Sequence, residues 1–397
     1  MARGSGERDA VRTSQAARPL TGSLAGRPML AALTLLALVN LAIGVAIAFH
    51  ADRVVDFTQV VAWSAEWLRG GNPYAVPDSI ADYPPPALVF FAPLAMLPAG
   101  NAIAAWVAAN AALSSAIAWM SARLAAPSGS VMPASAALGV LVLALPPFRT
   151  LNQFSIVAFA AALAGFLLAP RRPALAGITI GISLVKPHIG GPALLWAVAS
   201  RRWATVAWAA GTQAVLLGVY MARAGAAPHV LFDRYLGSLA RAQNHDDLIG
   251  GETSLDPLLA WTSFEPLAIQ VLAAAALGIA LVWLWRRGPS DFELRFFAGA
   301  CLVSLLSFRH LSYNLLLAIP ALAWALTDTR RGVRMTGIAA AAVLAASPPT
   351  LWRHVLEPAG AWGGLEPVVS HAYRLALAAL FVAVVAARSA GPARAVR

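Results

Sequence analysis

Hydrophobic residues in this chain form long runs that are separated by short polar segments. The runs are continuous and rich in alanine and leucine rather than alternating, which favours membrane helices over a β-barrel. We count twelve candidate crossings, at residues 29–49, 102–122, 131–147, 153–169, 173–186, 187–199, 203–223, 264–285, 292–308, 311–327, 333–347 and 371–388. The pattern therefore predicts an all-α polytopic membrane protein.

Arginine pairs between the runs predict the orientation of the chain. They lie at 171–172, 201–202, 286–287 and 330–331, and five further arginines precede the first run. Arginine and lysine concentrate in cytoplasmic loops, so we expect both termini in the cytoplasm. The first run lacks a small-residue cleavage site at its end, which indicates an uncleaved helix rather than a signal peptide.

Two regions depart from simple crossings. The apolar stretch 86–98 has about 13 residues, whereas a span needs roughly 20, so we interpret it as a re-entrant or interfacial segment. The short runs 173–186 and 187–199 must fit between two cytoplasmic arginine pairs. They predict a helical hairpin whose tip, at Lys186-Pro187, points outward.

Composition agrees with this class and divides the chain into one domain with two tails. The 397 residues are 59% hydrophobic and 12% charged, with a net charge of +11 and one cysteine, whereas soluble domains carry about 25% charged residues. We predict a disordered cytoplasmic tail at 1–28, a single transmembrane domain at 29–390 and a cytoplasmic tail at 391–397. All seven histidines and most acids fall at the predicted outer face, near the loops 51–84, 224–263 and 348–370.

The first outer loop carries the most informative chemistry. Asp56-Phe57 opens it, Asn72-Pro73-Tyr74 lies in its middle, and Tyr83-Pro84-Pro85-Pro86 returns to apolar sequence. Asp56 could be a partly desolvated general base with a raised pKa. It could equally be an interfacial acid that pairs with Arg53 or caps a helix over 57–69.

Lys186 is the only lysine among 29 basic residues, and apolar sequence surrounds it. Charged groups at membrane depth are costly and usually face a polar cavity or a partner. The functional interpretation is a contact to a lipid phosphate, since an ammonium binds phosphate as a point charge. The alternative is a lysine that extends to the membrane surface, although arginine would serve there as well.

Other polar residues at the predicted outer face are weaker candidates. Arg309-His310 ends a crossing and could hold phosphate and a sugar hydroxyl, and Asn152-Gln153 begins one, where amides bind hydroxyls or cap the helix. His245-Asp246-Asp247 could bind a divalent metal, but no second cluster accompanies it, so a solvated loop is favoured. The chain has no P-loop, dinucleotide fingerprint, nucleophile elbow or CxxC motif.

The order of these elements resembles glycosyltransferase family 87, the polyprenol-phosphate-mannose-dependent mannosyltransferases of GT-C fold, among them the phosphatidylinositol mannoside α-1,2-mannosyltransferases. The similarity spans residues 50 to about 320. The motifs that carry it are Asp56-Phe57, Gly71-Asn72-Pro73-Tyr74, Tyr83-Pro84-Pro85, Pro93 to Pro98, Lys186-Pro187 and Ser304 to His310. Two motifs have diverged, at Asn152-Gln153-Phe154-Ser155 and Glu252-Thr253-Ser254.

The resemblance implies an inverting enzyme with Asp56 as catalytic base. Lys186 and Arg309 would contact the donor phosphate, and the sugar or acceptor would contact His310, Tyr74, Tyr83, Asn152, Gln153, His188 and Glu252. The expected partners are a polyprenyl-phosphate sugar, with mannose as the expected sugar, a glycolipid or glycan acceptor, and membrane lipids, but no nucleic acid. No cofactor or metal is expected. The alternative is a lipid or solute transporter.

Overall fold

The computed structural model describes residues 26–49, 55–75, 81–125, 133–149, 151–243, 266–288, 291–308, 312–346 and 362–387. Within these ranges the chain forms fifteen α-helices and three 3₁₀ turns, and no strand. The α-helices are α1 Gly26–Ala48, α2 Val55–Leu68, α3 Pro85–Ala95, α4 Ala99–Ala125, α5 Pro133–Leu143, α6 Phe154–Leu168, α7 Pro173–Ser183, α8 Pro187–Ala199, α9 Trp203–Ala224, α10 Pro228–Gln243, α11 Pro266–Arg287, α12 Phe292–Ser307, α13 Ile319–Thr327, α14 Arg331–Ala346 and α15 Trp362–Ala386. The predicted all-α class is confirmed for the described residues.

Three described helices are long and apolar enough to cross a membrane. They are α4, α9 and the part of α1 at Ala31–Ala48. Several other predicted runs correspond to apolar helices of 10 to 17 residues. An α-helix rises about 1.5 Å per residue, so most of these are shorter than the roughly 30 Å hydrocarbon layer. The count of twelve crossings, the domain boundaries and the GT-C fold stay predictions.

The segment predicted not to cross contains the short helix α3. Its first residues, Pro85 and Pro86, suit a helix start because proline lacks the N–H that would have no helical partner there. With 11 residues, α3 is about 16 Å long. It packs against α2 and α9. Its interpretation as a re-entrant or interfacial segment stays a prediction.

The predicted hairpin around Lys186 is present. Helix α7 ends at Ser183 and α8 begins at Pro187, and the turn between them contains Lys186. A Cβ on Gly190 would lie 2.5 Å from the backbone carbonyl carbon of Ser183, so this close approach of the two helices requires glycine.

Buried apolar residues form two groups. The large core is built mainly of alanine and leucine from α4 to α8 and α12 to α15, with Leu302, Leu305 and Leu322 among its members. The second group, which we call the aromatic cluster, comprises Phe57, Val60, Trp63, Trp67, Tyr74, Ala81, Ala87, Leu88, Phe91, Ala92, Ala102, Trp106, Phe154, Val157, Val185, Tyr220 and Leu231. It includes residues of the first loop and joins them to α3, α4, α6, α9 and α10.

The two groups meet at the first turn of α6. Phe154 and Val157 belong to the aromatic cluster, whereas Ile156 and Ala158 belong to the large core. The same division occurs at the hairpin turn, where Val185 belongs to the cluster and Ile189 to the core. Polar residues of these two segments therefore lie at the boundary between the groups.

Candidate functional site

Asp56 meets Gln153 at the start of α6. The Gln153 Nε2 donates a hydrogen bond of 2.6 Å to the Asp56 Oδ2. Gln153 occupies the N-cap position of α6, but its side chain makes no capping bond there. Its amide therefore holds the carboxylate instead of capping the helix. Asp56 itself lies in the first turn of α2 and is partly exposed, where the helix dipole also favours a negative charge.

Helix α4 positions the segment that carries Gln153. The Trp106 indole N–H donates to the Asn152 carbonyl oxygen at 3.1 Å, and the Asn110 amide donates to the Leu151 carbonyl oxygen at 2.6 Å. Asn152, a predicted sugar contact, is buried. These bonds satisfy two buried carbonyl groups just before α6, and they fix the backbone from which Gln153 reaches Asp56.

Lys186 is buried beside Ser155, two residues after Gln153 in the chain. Its Nζ donates to the Ser155 Oγ at 2.9 Å, and the Ser155 hydroxyl donates to the Asn314 Oδ1 at 2.6 Å. Lys186 is 6% exposed, so it does not extend to a surface as the alternative interpretation required. An ammonium has three donor hydrogens, and the described residues bond one of them.

Two tyrosine rings also contact the ammonium. The Lys186 Nζ lies 4.8 Å from the Tyr313 ring centroid and 5.7 Å from that of Tyr83. Contacts of a cation with an aromatic face are worth about 0.5–2 kcal/mol. The rings and Ser155 together fix the ammonium in one place, and Tyr83, a predicted sugar contact, is brought to the predicted phosphate ligand.

Asp82 adds a second carboxylate that the sequence analysis did not select. Asp82 is exposed at the surface, but many protein atoms surround its carboxyl group. Burial raises the pKa of its carboxyl, and the nearby charge of Asp56 raises it further, while the Lys186 ammonium opposes both. Its position directly before Tyr83-Pro84 is the one signal in the sequence that could have identified it.

Two carboxylates lie near the Lys186 ammonium, and the charges of Asp56 and Asp82 both act on it. Among the described residues the ammonium bonds Ser155 and makes no salt bridge. It therefore keeps donor hydrogens that a ligand phosphate can accept.

Tyr74 supports the loop from within the aromatic cluster. It is buried, and its hydroxyl donates to the Tyr83 carbonyl oxygen at 2.9 Å. The Arg241 guanidinium donates to the Tyr74 carbonyl oxygen at 2.7 Å, and the Tyr235 ring meets the Tyr74 ring edge to face. Tyr74 therefore supports the backbone of Tyr83 from inside the protein. Its contact with sugar stays a prediction.

The remaining predicted residues divide into two groups. His188 lies in the first turn of α8, two residues after Lys186, and its carbonyl oxygen accepts a hydrogen bond of 2.7 Å from the Ser304 hydroxyl. The residues Arg53, His245, Asp246, Asp247, Glu252, Arg309 and His310 lie outside the described part of the chain.

The arrangement places a carboxylate oriented by an amide near a buried ammonium, with the rings of Tyr83 and Tyr313 against the ammonium. Such a set can accept a proton and stabilise a leaving anion. In the described ranges, no group of three or more histidine, cysteine or acidic side chains could hold a metal ion.

The model of glycosyltransferase family 87 matches residues 82–308, which is more than half of the chain. The chain belongs to glycosyltransferase family 87. This membership indicates a glycosyltransferase, and together with the apolar helices it indicates a membrane protein. The match includes Asp82, Gln153 and Lys186, whereas Asp56 precedes it and His310 follows it.

No curated protein and no solved structure matched the chain in the corresponding searches.

Proposed function

We propose that this family 87 glycosyltransferase is an inverting enzyme that moves mannose from a polyprenyl-phosphate donor to a glycolipid or polysaccharide acceptor. The reaction takes place at the extracytoplasmic face of the plasma membrane. One observation carries the proposal: the first turn of α6 holds Asp56 through Gln153 and Lys186 through Ser155. A base and an anion-binding group are thereby presented by one short segment.

Asp56 is the proposed base. Gln153 holds the Asp56 Oδ2, so Oδ1 is the oxygen that takes the proton from an acceptor hydroxyl. The deprotonated oxygen attacks the anomeric carbon, and the bond from that carbon to the phosphate oxygen breaks. The electron pair of that bond leaves with the polyprenyl phosphate, and a single displacement inverts the anomeric configuration.

Lys186 is the proposed ligand of the leaving phosphate. Its ammonium is fixed before the reaction by Ser155, Tyr313 and Tyr83, so little reorganisation is needed as charge develops on the phosphate. Arg309 and His310 are proposed to assist at the phosphate and the sugar, and Glu252, Asn152 and His188 at the sugar or acceptor.

A lipid donor fits a chain made largely of apolar helices without nucleotide-binding motifs. Family membership argues against the transporter alternative, since it indicates an enzyme of sugar transfer.

The donor is tested with purified protein in nanodiscs that contain a glycolipid acceptor. Radiolabelled mannose is supplied either on a polyprenyl phosphate or on a guanosine diphosphate carrier. We expect a mannosylated lipid only with the polyprenyl donor, and an inverted linkage by NMR. Use of the nucleotide sugar, or retention of configuration, would overturn the proposal.

The side of the membrane is tested separately by labelling intact cells with an impermeant maleimide, in a Cys301→Ala background. Gly237→Cys, which is exposed on α10, should be labelled in intact cells. Arg171→Cys, which is exposed between α6 and α7, should be labelled only after the cells are opened. The reverse pattern would place the site in the cytoplasm.

A further inference from the structure

Helix α10 begins close to the end of a membrane-spanning helix. Helix α9 ends at Ala224, where Gly225 adopts a left-handed backbone with φ of 60°. The connection 225–227 then leads to Pro228, the first residue of α10. Three residues extend at most about 11 Å, so α10 starts near the membrane end of α9.

The exposed surface of α10 has two chemically opposed flanks. Leu231 and Ser238 are buried on the side that faces the protein. On one flank, Phe232 and Leu236 are 59% and 44% exposed, and they lie one turn apart. Arg234 is exposed on the other flank, and Asp233 is exposed between the two flanks, on the side that faces away from the protein.

The apolar flank resembles the surface of the span that precedes it. On α9, Val215 and Val219 are 65% and 47% exposed, as expected of a helix whose side faces lipid. A helix with an apolar stripe and a charged stripe, held at a membrane boundary, is suited to the interface between acyl chains and headgroups. Bilayer lipid is therefore the occupant that fits the exposed apolar flank.

We propose that α10 is an interfacial helix docked on the phospholipid bilayer. Phe232 and Leu236 insert among the acyl chains, and Asp233 and Arg234 face the headgroups and water.

This docking has a consequence for the site that rests on the proposed function. The Tyr235 ring contacts Tyr74, Arg241 donates to the Tyr74 carbonyl oxygen, and the Tyr74 hydroxyl donates to the Tyr83 carbonyl oxygen. Tyr83 in turn faces Lys186. The interfacial helix thereby holds Lys186, the proposed phosphate ligand, at a fixed depth relative to the headgroup layer, where the phosphate of a lipid-linked sugar lies.

The depth of α10 can be measured by spin labels in protein reconstituted into phosphatidylcholine nanodiscs. Single cysteines replace Phe232, Leu236, Arg234 or Val215 in a Cys301→Ala background. All four positions are exposed, so labelling them should leave the core undisturbed. Collision with oxygen reports acyl chains, and collision with a water-soluble nickel chelate reports water.

We expect labels at Phe232 and Leu236 to collide more with oxygen than with nickel, as at the lipid reference Val215. The label at Arg234, on the opposite flank, should show the opposite preference. Nickel preference at Phe232 and Leu236 would overturn the proposal, and so would oxygen preference at all four positions, because the helix would then be immersed rather than interfacial. Both results are independent of sugar transfer, so they do not depend on the proposed reaction.

Discussion

The large core and the aromatic cluster bury their residues by different means. In the large core, most of the buried side chains are alanine and leucine, such as Leu302, Leu305 and Leu322, which have no polar atoms to satisfy. Ring donors are the minority there: Trp324 bonds Asp291, and Tyr373 bonds the Leu344 carbonyl. In the aromatic cluster, ring N–H and O–H groups bond backbone carbonyls: Trp67 bonds Tyr220 at 3.2 Å, and Trp106 bonds Asn152 at 3.1 Å. The cluster thus fixes backbone positions as well as burying surface.

This difference explains the location of the site. Apolar packing tolerates exchange of residues of similar volume, whereas a directional bond to a carbonyl fixes a segment of backbone. Gln153 and Ser155 lie at the start of α6, where the aromatic cluster and the large core meet. We infer that the large core mainly stabilises the fold, and that the aromatic cluster mainly fixes the positions of the site residues.

Among changes near the hairpin turn, removing the Lys186 charge should produce the largest loss of donor use. A hydrogen bond to a charged group contributes about 1.5–3 kcal/mol, which corresponds to a fall in kcat/KM for the donor of about 10- to 100-fold. Lys186→Met tests this in a sugar-transfer assay, with Lys186→Arg as the control that retains charge. Full donor use by Lys186→Met would remove the phosphate role.

The pH dependence of donor use should report the same ammonium. Only the protonated ammonium binds phosphate well, because the neutral amine offers no charge. The kcat/KM for the donor should therefore fall at alkaline pH, where the ammonium loses its proton, approaching tenfold per pH unit beyond that point. In Lys186→Arg the fall should disappear, because arginine stays charged. An identical fall in both proteins would assign the titration to another group.

Ser155 should act on the donor through Lys186. Ser155→Ala removes a bond with a net value of about 0.5–1.5 kcal/mol, so the KM for the donor should rise about 2- to 10-fold with little change in kcat. Ser155→Thr, which keeps a hydroxyl, should recover part of the loss. Ser121→Ala is the matched control, since Ser121 is equally buried but bonds its own helix, at the Ile117 carbonyl. An equal effect at both serines would mean that Ser155 is structural.

Two leucine truncations should distinguish the roles of the large core and the aromatic cluster, and they should have the smallest effects on sugar transfer among these changes. Leu302 in the large core and Leu88 in the aromatic cluster are both fully buried. Each change to alanine should lower stability by about 2–5 kcal/mol through the cavity that it leaves. Transfer by the folded protein should stay normal in Leu302→Ala and fall several-fold in Leu88→Ala. Equal losses of transfer in the two variants would show that both buried groups position the site residues.

The hydropathy pattern predicted the apolar helices, because their burial follows the local sequence, but it missed α10, which lies within the predicted loop 224–263. The hairpin turn appeared at Lys186 as predicted, and the helix expected over 57–69 is α2, Val55–Leu68. Single functional residues could also be selected where they were unusual in their surroundings. Lys186 is the only lysine, and Asp56 is an acid at a predicted membrane exit.

The partners of those residues could not be predicted, because they are distant in the chain. Asp56 and Gln153 are 97 residues apart, and Ser155 and Asn314 are 159 apart. Periodicity gives the face that a helix buries but not the helix that covers it. Asn314 did carry a signal, since an amide within an apolar run is costly without a partner. Asp82 carried less, because an acid in a polar loop is ordinary.

The central claim is that Asp56 is the base of the transfer reaction. The most direct test is single-turnover transfer by Asp56→Asn with the polyprenyl-phospho-mannose donor already bound, and with bound donor measured in the same sample. Removing a general base typically lowers the rate by about 10²- to 10⁴-fold. We predict that Asp56→Asn binds the donor normally and transfers sugar at less than about a hundredth of the normal rate, while Asp82→Asn keeps the larger share of activity. Near-normal transfer by Asp56→Asn, or loss of transfer in Asp82→Asn alone, would contradict the account.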